Sequence, residues 1–295
     1  MSNFKEIYSK RVNELENHLD NLLGEKVKYH QTIIDAMRYS LLNGGKRIRA
    51  MLIMAFYEIS GKDYKEAFNI ASAMEMIHAY SLIHDDLPCM DNDDYRRGKL
   101  TSHKVYGEGM AVLAGDSLLT KAFGTFSENR DGFPAEAVVR GLNCLATESG
   151  YNGMIGGQVI DIENENKKIS EDMLYTLHAL KTGALIKCAC KLGVIMSGQS
   201  EKTLQYAEEY GKNIGLAFQI QDDILDVEGD SKTLGKALGS DAENGKTTFV
   251  TLYGLDKSKE MAQECFKKAY QSLDKINGDK EFLIGLTDFL KDRTY

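Results

Sequence analysis

The sequence lacks tryptophan altogether and contains only two prolines, Pro88 and Pro134, in 295 residues. Because proline ends or kinks helices, its scarcity allows long helices. No segment alternates apolar and polar residues with the period of two that is typical of a half-buried strand, whereas nearly every segment spaces its apolar residues as a helix does. The sequence therefore predicts an all-α fold, a single domain spanning 1–295 with about ten or more helices.

The chain also lacks an apolar signal segment and any apolar run near the roughly eighteen residues of a membrane span. Its formal net charge is −8, which argues against a broad nucleic-acid-binding surface. The five cysteines are odd in number and scattered, as expected for reduced thiols. We therefore expect a cytoplasmic protein that binds small molecules, with no nucleic acid partner and no transmembrane segment.

Acidic residues are concentrated in a first acidic cluster, which consists of Asp85, Asp86 and Asp91 and is followed by Arg96 and Arg97. Carboxylate oxygens suit hard cations, and Mg²⁺ usually binds one or two carboxylates together with substrate phosphate oxygens. Acids followed closely by arginines therefore indicate a site that takes Mg²⁺ and a phosphate together.

The spacing within this cluster predicts a local bulge. Asp85 and Asp91 are six residues apart, which is wrong for one face of a regular helix. Pro88 lies between them, and a proline inside a helix clashes with the carbonyl four residues back, here that of His84. We expect Pro88 and Cys89 to bulge outwards, so that Asp91 returns to about the place of a residue four after Asp85.

A second acidic cluster, which consists of Asp222, Asp223 and Asp226, ends another long helical pattern. Asp222 and Asp226 are four residues apart and share one helix face, where a bound cation would reverse their repulsion. Gln219 lies one turn earlier and can face the same cavity. Phosphate groups beside such a cation would need further positive charge, and two lysines that follow the cluster could supply it: Lys236 and Lys246.

A basic segment, Lys46-Arg47-Ile48-Arg49, follows Gly44-Gly45 at the start of a predicted helix. Cations are unfavourable at a helix N-terminus, whereas an anion there is favoured by the helix dipole. The segment could be a solvated basic turn, but the acidic clusters favour a phosphate site, with Lys46 and Arg49 converging and Arg47 pointing elsewhere. His78, two turns before Asp85, lies in line with it, although a lone helical histidine can also be ordinary packing.

Two further features interrupt apolar helices. Gly156 and Gly157 are costly inside a helix, so they predict a bend or the close approach of another backbone, with Gln158 and Asp161 on the inner side. Lys181 lies within an apolar run, and a buried lysine needs a partner.

Together, these motifs resemble those of the short-chain trans-isoprenyl diphosphate synthases, and most of all the bacterial farnesyl diphosphate synthases. The resemblance covers about residues 30–250, in the family's order, and the first acidic cluster has the bacterial form with two extra residues. One small departure is Ala50, where the family usually has proline. The matching segments are Gly44-Gly45-Lys46-Arg47-x-Arg49, Asp85-Asp86-x4-Asp91 with Arg96-Arg97-Gly98, Gly157-Gln158, Lys181-Thr182, Phe218-Gln219, Asp222-Asp223-x2-Asp226 and the Lys236/Lys246 loop.

The resemblance implies a helical bundle around a central cavity, a homodimer, and about three Mg²⁺ ions per active site with substrate bound. The implied metal ligands are Asp85, Asp86, Asp91, Asp222 and Asp226, with Asp223 close by. The implied ligands of isopentenyl diphosphate are Lys46, Arg49, His78 and Arg97, with Arg293 closing over them. The implied ligands of the allylic diphosphate are Arg96, Lys181, Thr182, Gln219, Lys236 and Lys246.

The implied reaction joins isopentenyl diphosphate head-to-tail to dimethylallyl or geranyl diphosphate and yields farnesyl diphosphate. Breaking the allylic C1–O bond would be slow, and Mg²⁺ and cations would stabilise the departing diphosphate. Oxygens of Thr182 and Gln219 would stabilise the allylic cation, and the departed diphosphate would take the proton. The residues expected to carry this chemistry are Lys181, Thr182, Gln219, Asp85 and Asp222.

Product length is expected to depend on Tyr80, five residues before Asp85, with Ser81 beside it. In the family, an aromatic ring there is the floor that stops the chain at fifteen carbons. If Tyr80 is an ordinary core residue instead, the alternative product is the twenty-carbon geranylgeranyl diphosphate. A terpene cyclase would not need Lys46, Arg49 and His78, and a non-catalytic partner subunit would have lost an acidic cluster, so both are less favoured.

Overall fold

The computed structural model describes residues 2–24, 26–165, 167–228 and 246–293, so Lys236 lies outside the described residues. The prediction of an all-α fold is confirmed. Among the described residues, the only strands are β1 (Tyr95–Arg96) and β2 (Lys99–Leu100), which pair as a two-residue antiparallel hairpin. No helix in these ranges is long and apolar enough to cross a membrane.

The helices cover most of the described chain. In chain order they are α1 (Ser2–Leu22), α2 (Gln31–Leu41), α3 (Ile48–Glu58), α4 (Phe68–Asp85), α5 (Ser102–Tyr106), α6 (Glu108–Ser127), α7 (Ala135–Ser149), α8 (Met154–Glu163), α9 (Glu171–His178), α10 (Ala184–Ser197), α11 (Glu201–Glu228), α12 (Phe249–Tyr253), α13 (Leu255–Asp274) and α14 (Glu281–Lys291). Short 3₁₀ turns cover Tyr64–Ala67 and Glu128–Asp131, and a π-helical turn covers Ala179–Gly183.

The chain divides into two compact units. The first unit consists of Met1–Met54 and Asp63–Leu142, and the second of Ala55–Lys62 and Asn143–Tyr295. The predicted single domain, 1–295, stays a prediction.

Helix α4 is central to the first unit because it has almost no polar face. Its residues from Ile70 to Ile77 are all buried, and it packs most extensively against α6, while α2 packs on both helices. The buried run includes Glu75, whose charge requires compensation. Glu75 pairs with Arg47 at 3.2 Å and also accepts the backbone N–H of Ala50 at 3.3 Å. The helix therefore holds the residues around Asp85, its last residue, on a packed support.

Helix α11 is central to the second unit and packs against α10 and α13. Glycines allow backbones to approach closely here. A Cβ at Gly211 would lie 2.7 Å from the Cα of Lys187, and one at Gly215 would lie 2.8 Å from the Cα of Gly183. Any larger residue would push these segments apart, so Gly211 fixes the close approach of α10 to α11, and Gly215 fixes that of the π-helical turn.

Candidate active site

The turn after α4 brings the ends of the first acidic cluster together. The backbone N–H of Asp91 donates to the carbonyl of Asp85 at 2.8 Å, which is the bond that a residue four after Asp85 would make in a helix. Pro88 and Cys89 are exposed. The predicted two-residue bulge is therefore confirmed, and the backbone of Asp91 takes the place of a residue four positions after Asp85 in a regular helix.

The acids of the first acidic cluster differ in exposure. Asp85 is half-buried and Asp91 is exposed, whereas Asp86 is only 4% exposed. The guanidinium group of Arg96 lies 2.5–2.6 Å from one carboxylate oxygen of Asp86, and also pairs with Asp93 at 3.4 Å. Burial raises the pKa of Asp86, and the Arg96 contact opposes that rise. In this structure, Asp86 thus holds Arg96, and the metal role predicted for Asp86 and the diphosphate role predicted for Arg96 stay predictions.

Arg97 lies at the tip of the β1–β2 hairpin, in a two-residue turn with Gly98. Both residues have positive φ, at 53° and 75°, as the type I′ turn of a tight hairpin requires. The Arg97 guanidinium donates to the carbonyl of Gly44 and lies against Gly45, where an added Cβ would come within 2.5 Å of it. The hairpin was missed in the sequence because strands of two residues are too short to show alternation. The Arg-Gly pair was its only signal.

The predicted ligands of isopentenyl diphosphate, which we call the cation cluster, all belong to the first unit: Lys46, Arg49, His78 and Arg97. Arg49 Nη1 lies 3.4 Å from His78 Nε2, and Tyr8 donates to the backbone carbonyl of Lys46. Burial and then the nearby arginines, Arg49 first, hold the pKa of His78 well below its ordinary value, so the imidazole is neutral. Arginines this close around a neutral histidine produce a strongly positive surface that favours an anion.

The side chain of Arg47 points away from this cluster, as predicted. Its side chain is buried and lies 3.0 Å from Glu16 and 3.2 Å from Glu75, and it donates to the carbonyl of Leu41 at 2.8 Å. Its backbone has a positive φ of 50°, which is uncommon for a residue with a side chain. Arg47 therefore stabilises the turn that presents Lys46 and Arg49.

In the second unit, the predicted catalytic pair Lys181 and Thr182 lies in the π-helical turn. Such turns are often found at functional sites, because the extra residue redirects side chains. The close backbone approach predicted at Gly157 is confirmed, since a Cβ there would overlap the backbone of Lys181. Lys181 pairs with Asp161 at 2.5 Å, which gives the lysine the partner that it needs.

A chain of hydrogen bonds connects Thr182 with the second acidic cluster. The hydroxyl of Thr182 donates to Gln219 Oε1 at 3.2 Å, and Gln219 Nε2 donates to Asp223 at 3.3 Å. The other oxygen of Asp223 accepts the N–H of Phe249 at 2.8 Å, at the start of α12. Because each group is held by the next, the orientation of the Thr182 and Gln219 oxygens is fixed before any substrate binds.

Within the second acidic cluster, Asp223 and Asp226 are buried and Asp222 is the most exposed. Arg293 forms an ion pair with Asp222, and its guanidinium carbon lies 4.0 Å from the centre of the Phe218 ring. This contact was missed in the sequence, where Arg293 was expected only to close over isopentenyl diphosphate. Lys246 is exposed, and Gln158 is partly buried with its Nε2 lacking a partner among the described residues.

The acids suit Mg²⁺ in their chemistry, because carboxylate oxygens are the protein ligands that this ion prefers. In the described ranges, no three acidic, histidine or cysteine side chains converge closely enough to form a complete metal site. Ions held by so few protein ligands would need water or phosphate oxygens to complete their coordination. This is the arrangement expected where a metal and a diphosphate bind together.

Residues 30–285 match the polyprenyl synthetase family, and the chain belongs to that family. It is a prenyltransferase of the short-chain type, which elongates prenyl chains. The chain is 42% identical over 278 residues to a farnesyl diphosphate synthase of Micrococcus luteus, covering 92% of this chain and 95% of that protein. It is 43% identical over 293 residues to a chloroplastic geranylgeranyl pyrophosphate synthase of Capsicum annuum, covering 99% of this chain and 79% of that protein.

Solved structures of similar proteins agree with this assignment. An FPP/GFPP synthase from Zymomonas mobilis has a TM-score of 0.89 and 35% identity, covering 98% of this chain and 100% of that one. A geranyltransferase from Helicobacter pylori, in complex with magnesium and isoprenyl diphosphate, has a TM-score of 0.83 and 33% identity, covering 97% and 95%. The relatives carry different product names, so the family does not decide the product length of this chain.

Proposed function

We propose that this prenyltransferase joins isopentenyl diphosphate to dimethylallyl and geranyl diphosphate and releases farnesyl diphosphate. The observation that carries the product length is Tyr80. It lies on α4 five residues before Asp85, about 7.5 Å along the helix at 1.5 Å per residue. Its side chain is 5% exposed, and its hydroxyl has no hydrogen-bond partner among the described residues. The ring therefore acts by its bulk, as a floor for a growing hydrocarbon chain would.

The first unit would bind isopentenyl diphosphate and would also supply ligands for Mg²⁺. The cation cluster (Lys46, Arg49, His78 and Arg97) would bind isopentenyl diphosphate, because its arginines surround a neutral histidine. Asp85 and Asp91 would bind Mg²⁺, since a backbone hydrogen bond joins them, Asp85 is only half-buried and Asp91 is exposed. Asp86 would then act by orienting Arg96 towards the allylic diphosphate rather than by direct coordination.

The second unit would bind Mg²⁺ through Asp222 and Asp226 and would hold the allylic diphosphate through Lys181, with Lys246 near it. Bound Mg²⁺ would supply neutralisation of the charge that develops on the departing diphosphate. Thr182 and Gln219 have fixed oxygen atoms that would stabilise an allylic cation without attacking it. Asp161 would orient Lys181, which it contacts at 2.5 Å.

We further propose that the protein is a homodimer. Apolar side chains of α5 and α6 are exposed on the first unit: Val105 at 44%, Val112 at 40% and Leu113 at 53%. Burying such side chains against a second copy would be favourable. Light scattering after size exclusion should give the mass of a dimer for the parent and of a monomer for Leu113→Lys, and a monomeric parent would contradict the proposal. A cytoplasmic location stays a prediction.

Product analysis tests the function directly. Purified protein would be incubated with Mg²⁺, isopentenyl diphosphate and either dimethylallyl or geranyl diphosphate, and product length read by mass spectrometry. We expect fifteen-carbon product from the parent and longer products from Tyr80→Ala. Tyr80→Phe is the matched control, because it keeps the ring and removes only a hydroxyl that makes no hydrogen bond among the described residues. It should still give fifteen carbons.

Other outcomes lead to the alternatives. A twenty-carbon product from the parent would make the protein a geranylgeranyl diphosphate synthase, the product named for the Capsicum annuum relative. If no condensation occurs but the allylic substrate alone is converted, the protein would be a terpene cyclase. If neither reaction occurs, it would be a non-catalytic subunit. The cation cluster argues against a cyclase, which has no isopentenyl diphosphate to bind.

A further inference from the structure

His84, the residue immediately before the first acidic cluster, contacts the ring of Tyr80. The two residues are one turn apart on α4, and their ring centroids lie 5.8 Å apart with an angle of 76° between the planes. This is the edge-to-face arrangement that aromatic rings favour. The imidazole therefore supports the tyrosine ring from the side of the helix that leads towards Asp85.

His84 is held in place by α6. Its Nε2 lies 3.1 Å from the backbone carbonyl of Val112, and a carbonyl can only accept, so Nε2 carries the proton and donates. The carboxylate of Asp116 lies 4.0 Å from the same nitrogen. The hydrogen bond fixes the ring in one orientation, with its plane set by α6 rather than by α4 alone.

Gly115 provides the space for this ring. A Cβ at Gly115 would overlap Nε2 of His84, and it would lie 2.5 Å from Cδ2 and 2.8 Å from Cε1. No residue larger than glycine therefore fits at this position while the imidazole remains there. The imidazole lies directly on the backbone of α6, between that helix and Tyr80.

We propose that His84 is a positioning residue for product length, which acts by holding Tyr80. In the resting geometry, α6 supports His84 and His84 supports Tyr80, so the floor is rigid because two helices hold it. The inference rests on the proposed role of Tyr80 in limiting the product. His84 would act only through the tyrosine ring and not on a reacting atom.

Three substitutions at His84 separate the ring from the hydrogen bond. His84→Ala removes both, His84→Asn keeps an N–H donor without a ring, and His84→Phe keeps a ring without the donor. With geranyl diphosphate and isopentenyl diphosphate, we expect Ala and Asn to raise the ratio of twenty- to fifteen-carbon product roughly fivefold, as loss of an edge-on ring contact would. Phe should raise the ratio less than Ala and Asn do, because it keeps a ring against Tyr80 and loses only the hydrogen bond to Val112. The rate of isopentenyl incorporation, measured separately, should change less than the ratio.

A double variant shows whether His84 acts through Tyr80. In a Tyr80→Ala background, His84→Ala should leave the product ratio unchanged, because the ring that it supports is gone. If His84→Ala shifts the ratio equally in both backgrounds, it acts independently and the inference is wrong. An unchanged ratio in both His84→Ala and His84→Asn, with folding checked by circular dichroism, would also overturn it.

Gly115→Ala tests the same contact from α6. The added methyl group should displace the imidazole and lengthen the product, as His84→Ala does, whereas a parent-like ratio in a folded Gly115→Ala would count against the inference. Tyr80→Ala alone reports on the proposed function. If it leaves product length unchanged, the floor hypothesis fails, and if it lengthens the product while the His84 variants do not, only the present inference fails.

Discussion

The two acidic clusters solve the same problem in different ways. The first uses acids six residues apart that an exposed bulge brings together, and the second uses acids four apart on one helix. In each cluster a buried acid orients a neighbour: Asp86 in the first, and Asp223 in the second, where Asp226 is buried as well. Asp86 holds the charged guanidinium of Arg96, whereas Asp223 accepts from the neutral side chain of Gln219 and the backbone N–H of Phe249. The orienting acid thus interacts with a charged group in the first cluster and with neutral N–H groups in the second.

The largest effect should come from the more exposed acids, and it should be similar in both clusters. Asp85→Asn and Asp222→Asn keep the side-chain shape and remove a charge that would bind Mg²⁺. We expect each to lower kcat by about 10²–10³, the loss that removal of one strong electrostatic contribution produces. Steady-state assays at saturating Mg²⁺ would measure it.

Asp94→Asn is the matched control, because Asp94 is exposed and pairs only at the surface with Lys104, at 2.7 Å. It should keep the parent rate. If only one of the two variants, Asp85→Asn or Asp222→Asn, loses kcat strongly, only the acidic cluster of that residue binds the Mg²⁺ needed for the reaction.

Substitution of Asp86 and of Asp223, the buried acids that orient a neighbour, should lower stability by different amounts. Asp86→Asn leaves the mostly buried charge of Arg96 without its closest carboxylate, and we expect it to lower the free energy of unfolding by about 2 kcal/mol, below the full value for a buried pair because Arg96 is partly exposed. Asp223→Asn keeps an oxygen that can accept the N–H of Phe249, and should cost about 1 kcal/mol. Urea unfolding would measure both. Equal losses of unfolding free energy in the two variants would mean that it does not matter whether the partner of the buried acid is charged or neutral.

Much of this arrangement was predictable because it follows from local rules. Pro88 cannot continue a helix, so the bulge and the return of Asp91 follow from one residue type. Gly157 predicted a close backbone, since glycine inside a helix has a cost that needs a reason. The identity of that backbone, Lys181, could not be predicted, because it depends on how α8 meets the π-helical turn.

Contacts between residues far apart in sequence were out of reach for the same reason. Arg293 meets Asp222 across 71 residues, and no pattern within either segment indicates the other. Asp86 was predicted as a metal ligand because the family resemblance implies that role. Only the structure shows that burial and Arg96 distinguish it from Asp85.

A histidine near the second acidic cluster should make stability depend on pH. His178 packs 5.5 Å from the ring of Phe249, and burial, with Lys181 and Lys246 adding to it, lowers its pKa from 6.5 to about 4. Between these values the unfolded chain binds more protons than the folded one, so stability rises with pH and is lost as the pH falls below 6.5.

Converting that shift to free energy, the loss at pH 5 relative to pH 8 is about 2 kcal/mol. His178→Phe removes the titrating group and should abolish that part of the pH dependence in urea unfolding. His78, in the cation cluster of the first unit, also has a pKa that is lowered, first by burial and then by its neighbouring arginines. A His178→Phe variant with the parent's full pH dependence would place the effect on His78 and the first unit instead.

The smallest effect concerns Arg293, which pairs with Asp222 and packs on Phe218. Mg²⁺ at Asp222 would compete with that guanidinium. The Arg293 side chain is only 5% exposed, but the Asp222 carboxylate is 42% exposed, and solvent weakens its ion pair. Arg293→Ala should therefore tighten the binding of Mg²⁺ with inorganic diphosphate by only roughly threefold. Calorimetry measures it, and Lys291→Ala is the control at an exposed residue on the same helix end. Weaker binding instead would mean that Arg293 binds diphosphate, and that it contacts Asp222 only while no diphosphate is bound. The direction of this small change in affinity therefore decides whether Arg293, the cation at the second acidic cluster, competes with Mg²⁺ or assists its binding with diphosphate.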